Sequence, residues 1–271
     1  MSKAMGVRQQ EYVDTIEQLR GGAIARVAWS QLYKRFDDLS EGLPLALTRF
    51  LPTAKIGRGR ILDSADRFES VSELSYPPLE KCHTFGRCNC PGNPIFYGGV
   101  GTELIFSEIG AKIGDYVGLL HVSPVEELLC VRLGALDLWR RTSGEFSMDE
   151  SLKASIKEMH ADPNNIVMFL LDAFSRDYFS RPGNDSVYKL TSAITSVILN
   201  AHPDISGLIY DSVDHTAGAC VALKPEIADY RLKPTEVQIV KVTSYLGYGV
   251  YDFEQIAFAD KFDGKRIIWS E

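Results

Sequence analysis

The sequence predicts a mixed α+β protein, with helices at its front and middle and a sheet completed late in the chain. Three observations lead there. Apolar residues recur at helical spacing through the first fifty positions. A stretch rich in glycine and proline, without periodicity, runs from Lys55 to about Gly101. The last third strings together β-branched and aromatic runs punctuated by Gly, Asp and Asn.

Taken in order, Tyr12, Val13, Ile16 and Leu19 mark one apolar helical stripe, stopped by Gly21-Gly22. Ile24, Val27, Ala28, Gln31, Leu32 and Phe36 mark a second, mostly apolar, stripe, and Leu43 to Leu51 is expected to form a third short helix before Pro52. The prolines between Pro77 and Pro94 break any continuous helix. Ile95-Phe96-Tyr97 is β-prone, and Thr102 is an expected N-cap for a helix through Glu108. Asp115 to Val122 is expected as a buried strand, and residues 124–179 as helical. A helix over Val187 to Leu199 follows. Strands are expected at Gly207 to Tyr210, Ala219 to Leu223, Val237 to Tyr245, Val250 to Phe258 and Arg266 to Trp269.

Composition narrows the function. The net charge is −7 with no basic stripe, which argues against holding a nucleic-acid backbone or an anionic membrane surface. No apolar run reaches transmembrane length, and Met1 to Gly6 leads into Arg8, Glu11 and Asp14 without an apolar signal core, so the expected location is cytoplasmic. Five cysteines, an odd count, fit reduced thiols better than a disulfide framework.

Four segments carry residues suited to chemistry. In Gly86 to Tyr97, Arg87 sits in a loop bounded by Gly and Pro that ends on an aromatic. A guanidinium fork beside a ring face suits an anion joined to a ring. Glu108 lies on an otherwise apolar helix, where a carboxylate could hold a sugar hydroxyl and stabilise the positive charge of a breaking glycosidic bond. Arg58 and Arg60 would share one face of a strand, and Gly207 to Ser212 is an apolar strand ending in small polar residues. Each also has a plain reading: a solvated loop arginine, a wet-face glutamate, or a strand followed by a turn.

In this order the four segments resemble the RES domain family, named for its arginine, glutamate and serine. The matching stretches are Ile56-Gly57-Arg58-Gly59-Arg60, the Gly86 to Tyr97 loop, the Thr102 to Glu108 helix and the Gly207 to Ser212 strand end. Val71 to Pro78 and Tyr188 to Ser192 are similar too, so the likeness covers roughly residues 55–225.

The resemblance implies an ADP-ribosyltransferase-like fold with a mixed or antiparallel sheet core and added N-terminal and central helices. Residues 1–52 would be a helical extension. Residues 53–271 would be the catalytic domain, with a helical insertion at about 124–179. The implied activity is breakdown of NAD⁺ at the nicotinamide–ribose bond, by hydrolysis or phosphorolysis, as the toxin of a toxin–antitoxin pair. Transfer of ADP-ribose to a target is the alternative. NAD⁺ is then substrate, with no further cofactor and no metal. The implied partner is a helix-turn-helix antitoxin, and the added helices could hold it, build a homo-oligomer or cover the site.

Carried over residue by residue, Arg58 and Arg87 would hold the pyrophosphate, Tyr97 would pack on the nicotinamide end, Glu108 would engage the nicotinamide ribose and Ser212 would orient substrate or nucleophile. Arg60, Asn89 and Tyr210 complete the expected substrate-binding set. Gly57 stands where many members carry an aromatic, which leaves Arg60 open as the functional arginine in place of Arg58. Gly218-Ala219-Cys220 lacks the asparagine that members often carry.

Two rival readings remain. Cys82, His83, Cys88 and Cys90 lack the paired spacing of structural zinc sites. A non-catalytic interaction module would have no chemical need for Arg87, Tyr97 and Glu108 together. Of the histidines, His121 reads as a satisfied core residue and His160, His202 and His215 as surface residues. The cluster Tyr245, Tyr248, Tyr251 and Phe253 reads as strand packing.

Overall fold

The computed structural model describes residues 10, 12–19, 23–41, 45–137, 150, 154, 157, 166–213 and 218–270. In the first half of the chain the elements are α1 (residues 12–19), α2 (Trp29–Ser40), β1 (Leu47–Phe50), β2 (Ile56–Leu62), β3 (Phe96–Gly99), α3 (Thr102–Glu108), β4 (Tyr116–Pro124) and β5 (Leu128–Arg132). The second half adds α4 (Ile166–Phe179), α5 (Asp185–Ala201), β6 (Gly207–Asp211), β7 (Ala219–Leu223), α6 (Pro225–Tyr230), β8 (Leu232–Gly247), β9 (Val250–Ala259), β10 (Lys261–Asp263) and β11 (Arg266–Ile268). The class is α+β. Two compact units interleave along the chain. The first comprises Met1–Arg49, His83–Asn93 and Leu129–Tyr210; the second comprises Phe50–Cys82, Pro94–Leu128 and Asp211–Glu271.

The first unit is mainly helical around a short sheet in the order β1-β5-β6, with β5 and β6 parallel at Cys130↔Gly207 and Arg132↔Ile209. Its core rests on α5, which buries Val187, Leu190, Ala193, Ile194, Val197 and Ile198 along one stripe. Asn184 starts α5 by accepting from the amides of Ser186 and Val187, both at 3.0 Å. Phe36 of α2 and Phe174 of α4 meet at 5.8 Å between ring centres. Asp172 of α4 accepts from the amides of Gly134 (2.9 Å) and Leu136 (3.2 Å), which ties the turn after β5 to that helix.

The second unit is an antiparallel sheet in the order β7-β3-β2-β4-β8-β9, joined by the β10–β11 hairpin. On one face lies α3, whose Ile105 and Phe106 join Val117, Leu119, Val240 and Val242 in a buried core.

Several expected elements come out differently. Of the expected helix at Leu43–Leu51, the described residues 45–51 hold the strand β1 and no helix. Within 124–179, the strand β4 runs to Pro124 and Leu128–Arg132 is the strand β5; residues 135–137, 150, 154 and 157 are helical, α4 covers Ile166–Phe179, and the rest of 138–165 lies outside the described residues. Leu128 is buried, as are Cys130, Val131 and Arg132, so β5 lacks the alternation that marks a half-exposed strand and its leucines imitate a helical stripe. Thr102 is the first residue of α3. The cap is Gly101, whose φ of 103° is open to glycine and lets the chain turn out of β3. The short helix α6 and the strand β10 have no counterpart in the expectations. The Gly21-Gly22 stop, His160 and His215 lie outside the described residues.

Candidate functional site

The second unit brings α3 close onto its sheet through glycines. A Cβ on Gly57 would stand 2.2 Å from Ile105 Cδ1, and one on Gly59 would stand 2.5 Å from Ile105 Cγ2. Both glycines therefore face α3, which fixes the sidedness of their neighbours, because successive strand residues point to opposite faces. Gly99, paired with Gly57, lies under Leu104 on the same side, as does Gly218. Tyr97, two residues before Gly99 on β3, projects from that face and is half-buried.

Glu108 ends α3, and its carboxylate accepts a hydrogen bond from the hydroxyl of Ser212. Ser212 is itself buried, and its amide donates to Gly218 O at 3.0 Å, so the hydroxyl is carried on fixed backbone at the end of β6. Glu108 is exposed. Tyr97, Glu108 and Ser212 thus share the α3 face of one unit.

Arg58 and Arg60 point from the reverse face, together, as their spacing implies. Arg58 Nε donates to Leu74 O at 2.9 Å and Nη1 to Tyr97 O at 2.8 Å, with the guanidinium 5.7 Å from the centre of the Phe96 ring. Arg60 Nη1 donates to Glu73 O at 2.6 Å. The two arginines thus hold consecutive carbonyls of the turn at Val71–Glu73 and its cap Leu74. Burial, and then the neighbouring Arg60, lower the Arg58 pKa to about 10, against an opposing effect of Tyr97. It stays charged at neutral pH.

Arg87 and Asn89 belong to the first unit, although Tyr97 of the same motif belongs to the second. Arg87 Nη1 donates to Phe179 O at 2.6 Å and Nη2 to Arg181 O at 3.1 Å, with the guanidinium 5.5 Å from the Tyr188 ring centre. It closes the C-terminus of α4. Asn89 Nδ2 donates to Thr84 O at 3.1 Å within its own loop. Tyr210 is buried against Phe179 at 5.4 Å between ring centres. Cys88 lies buried near Thr195 and Tyr210, and burial pushes its thiol up to about 12, which makes it a poor nucleophile.

One residue of the second unit does more than its sequence suggests. His121 on β4 is not only a core side chain: its Nε2 lies 3.4 Å from Thr102 Oγ1 and its Nδ1 lies 3.7 Å from Glu236 Oε1. Glu236 lies more than a hundred positions downstream, and no local spacing announces the contact. Among the described residues, no group of three or more His, Cys, Asp or Glu side chains is arranged to hold a metal ion. Comparison with family models, with curated proteins and with solved structures finds no match to the chain.

Proposed function

We propose that the chain cleaves the nicotinamide–ribose bond of NAD⁺, with Glu108 as the carboxylate that meets the ribose. The observation that carries this reading is the contact of Glu108 with Ser212, two residues that resemble the family's glutamate and serine and meet across 104 positions of sequence. Tyr97 on the same face offers a ring for the nicotinamide end.

The chemistry asks little of the protein. Nicotinamide leaves NAD⁺ as a neutral molecule from a cationic ring, so no general acid is needed. What is needed is placement of the dinucleotide and a negative charge beside the oxocarbenium-like ribose. Glu108 supplies that charge, and Ser212 fixes the carboxylate's direction. Arg58 supports the arrangement from behind by holding the backbone carbonyl of Tyr97. A place for Arg87 in the chemistry rests on the resemblance alone, because its guanidinium is engaged by the carbonyls of Phe179 and Arg181. The ADP-ribosyltransferase-like fold, the toxin role and the antitoxin partner belong to the same proposal.

The test is product analysis from NAD⁺. Nicotinamide with ADP-ribose means hydrolysis, and ADP-ribose-1″-phosphate formed in phosphate buffer means phosphorolysis. ADP-ribose found covalently on protein means transfer. The absence of nicotinamide release with all three acceptors present overturns the proposal.

A further inference from the structure

We propose that His121 is a positioning residue for α3, kept by Glu236 in the tautomer whose Nε2 accepts the hydroxyl of Thr102. Glu236 Oε1 faces His121 Nδ1 at 3.7 Å, a charge beside the ring and beyond hydrogen-bond length, and His121 Nε2 lies 3.4 Å from Thr102 Oγ1. A carboxylate facing Nδ1 favours the proton there, which leaves Nε2 as the acceptor. Glu236 is oriented in turn by Gln238, whose side-chain amide donates to Oε1.

The sheet is built around this ring. His121 pairs with Glu236 on β8, but its neighbour Val122 pairs with Pro234, so Thr235 is the extra residue of a β-bulge. Bulges re-aim side chains. Here the Thr235 hydroxyl donates to His121 O at 3.1 Å, tying down the backbone at the irregularity. On the other side the ring borders Gly57, where a Cβ would come within 3.4 Å of His121 Cδ2. The charged groups around the imidazole are Glu236 from β8 and Lys55 from the chain before β2; α3 presents the neutral Thr102. Burial is the largest influence on His121 and lowers its pKa, which keeps the ring neutral.

The tether matters because of what lies beneath α3. Leu104 and Ile105 rest over Gly57, Gly59, Gly99 and Gly218, while Ile105 and Phe106 also join Val117, Leu119, Val240 and Val242 in the buried core. The glycines permit close approach, and the apolar packing around them is non-directional. Polar contacts at the two ends add direction to that packing: Thr102 with His121 at the start, and Glu108 with Ser212 roughly 9 Å further on along a helix rising about 1.5 Å per residue. Gly101 supplies no side-chain cap, so the Thr102 hydroxyl is the tether of the first turn. The catalytic consequence, that losing this tether misplaces Glu108, rests on the proposed reaction; the tautomer and the anchoring do not.

The experiment joins ¹⁵N NMR of the imidazole with hydrogen exchange of the α3 amides in the full chain. The expected wild-type spectrum at neutral pH shows His121 protonated on Nδ1, and Glu236→Gln removes that preference. Thr102→Val is expected to speed α3 exchange roughly fivefold, about the worth of one hydrogen bond. Thr102→Ser, which keeps the hydroxyl, is expected to leave exchange at the wild-type rate. With NAD⁺, Thr102→Val lowers kcat and leaves KM in place. An Nε2-protonated wild-type ring overturns the inference, as does equal exchange in the valine and serine variants. Covalent labelling of Thr102 by a fluorophosphonate also overturns it, by revealing an activated nucleophile. A wild-type protein inert toward NAD⁺ removes only the proposed reaction, since the spectrum and the exchange rates still decide the tether.

Discussion

Within the second unit, the hydroxyl of Ser212 donates to the carboxylate of Glu108, the last residue of α3. A buried donor here steers an exposed acceptor. If that steering is the work of Ser212, Ser212→Ala leaves Glu108 in place but free to rotate. Steady-state kinetics on NAD⁺ should then show kcat reduced about tenfold, as expected for one lost hydrogen bond to a charged group, with KM nearly unchanged. A rise in KM alone would make Ser212 a ground-state substrate contact.

Arg58 should behave as a structural residue. Arg58→Ala removes the hydrogen bonds to the carbonyls of Leu74 and Tyr97, and a cost of about 2–4 kcal/mol in unfolding free energy follows. Arg60 is exposed, and Arg60→Ala should cost less than about 1 kcal/mol. Denaturant titration of the two variants checks the order, and equal costs would contradict it.

Arg87 makes a similar case in the first unit. Arg87→Lys should not restore what Arg87→Ala loses, because a single ammonium cannot reproduce a planar fork reaching the carbonyls of both Phe179 and Arg181. Thermal unfolding of both variants decides this. A lysine variant as stable as wild type would show that charge alone suffices at that position.

Asp172 gives the first unit a pH dependence. Burial raises its carboxyl from the ordinary 3.8 to about 6, against the backbone amides that favour the charged form. Folded Asp172 therefore keeps its proton at pH values where the unfolded chain has lost it. Its contribution to stability is complete below pH 4 and declines as pH rises to about 6, by about 3 kcal/mol in all. Asp172→Asn removes this titration. The stability of the variant relative to wild type should climb between pH 4 and 6 and level off above, and calorimetry showing a pH-independent difference would contradict the assignment.

Much of the second unit is legible in the sequence. The strands from Ala219 to Ala259 announce themselves through valine, isoleucine and tyrosine runs broken by Gly247 and Gly249, and α3 through its apolar Leu104, Ile105 and Ile109. Arg58 and Arg60 share a face as the two-residue period requires, but which face they take depends on the packing of Ile105 over Gly57 and Gly59. β5 is hidden because a strand buried on both sides carries the same leucines as a buried helix. The interleaving of the two units is hidden too, since the motif from Gly86 to Tyr97 crosses from one to the other without a change in composition. His121 and Glu236 meet through strand register, which no short motif encodes.

The most direct test of the central claim is nicotinamide release from NAD⁺ by the wild-type protein and by Glu108→Gln. The glutamine keeps the shape and a hydrogen-bond acceptor for Ser212 and removes the charge. The account predicts steady release by the wild type and a loss of about a hundredfold or more in kcat for the variant, with its fold intact by circular dichroism. Equal release by the two proteins would contradict it.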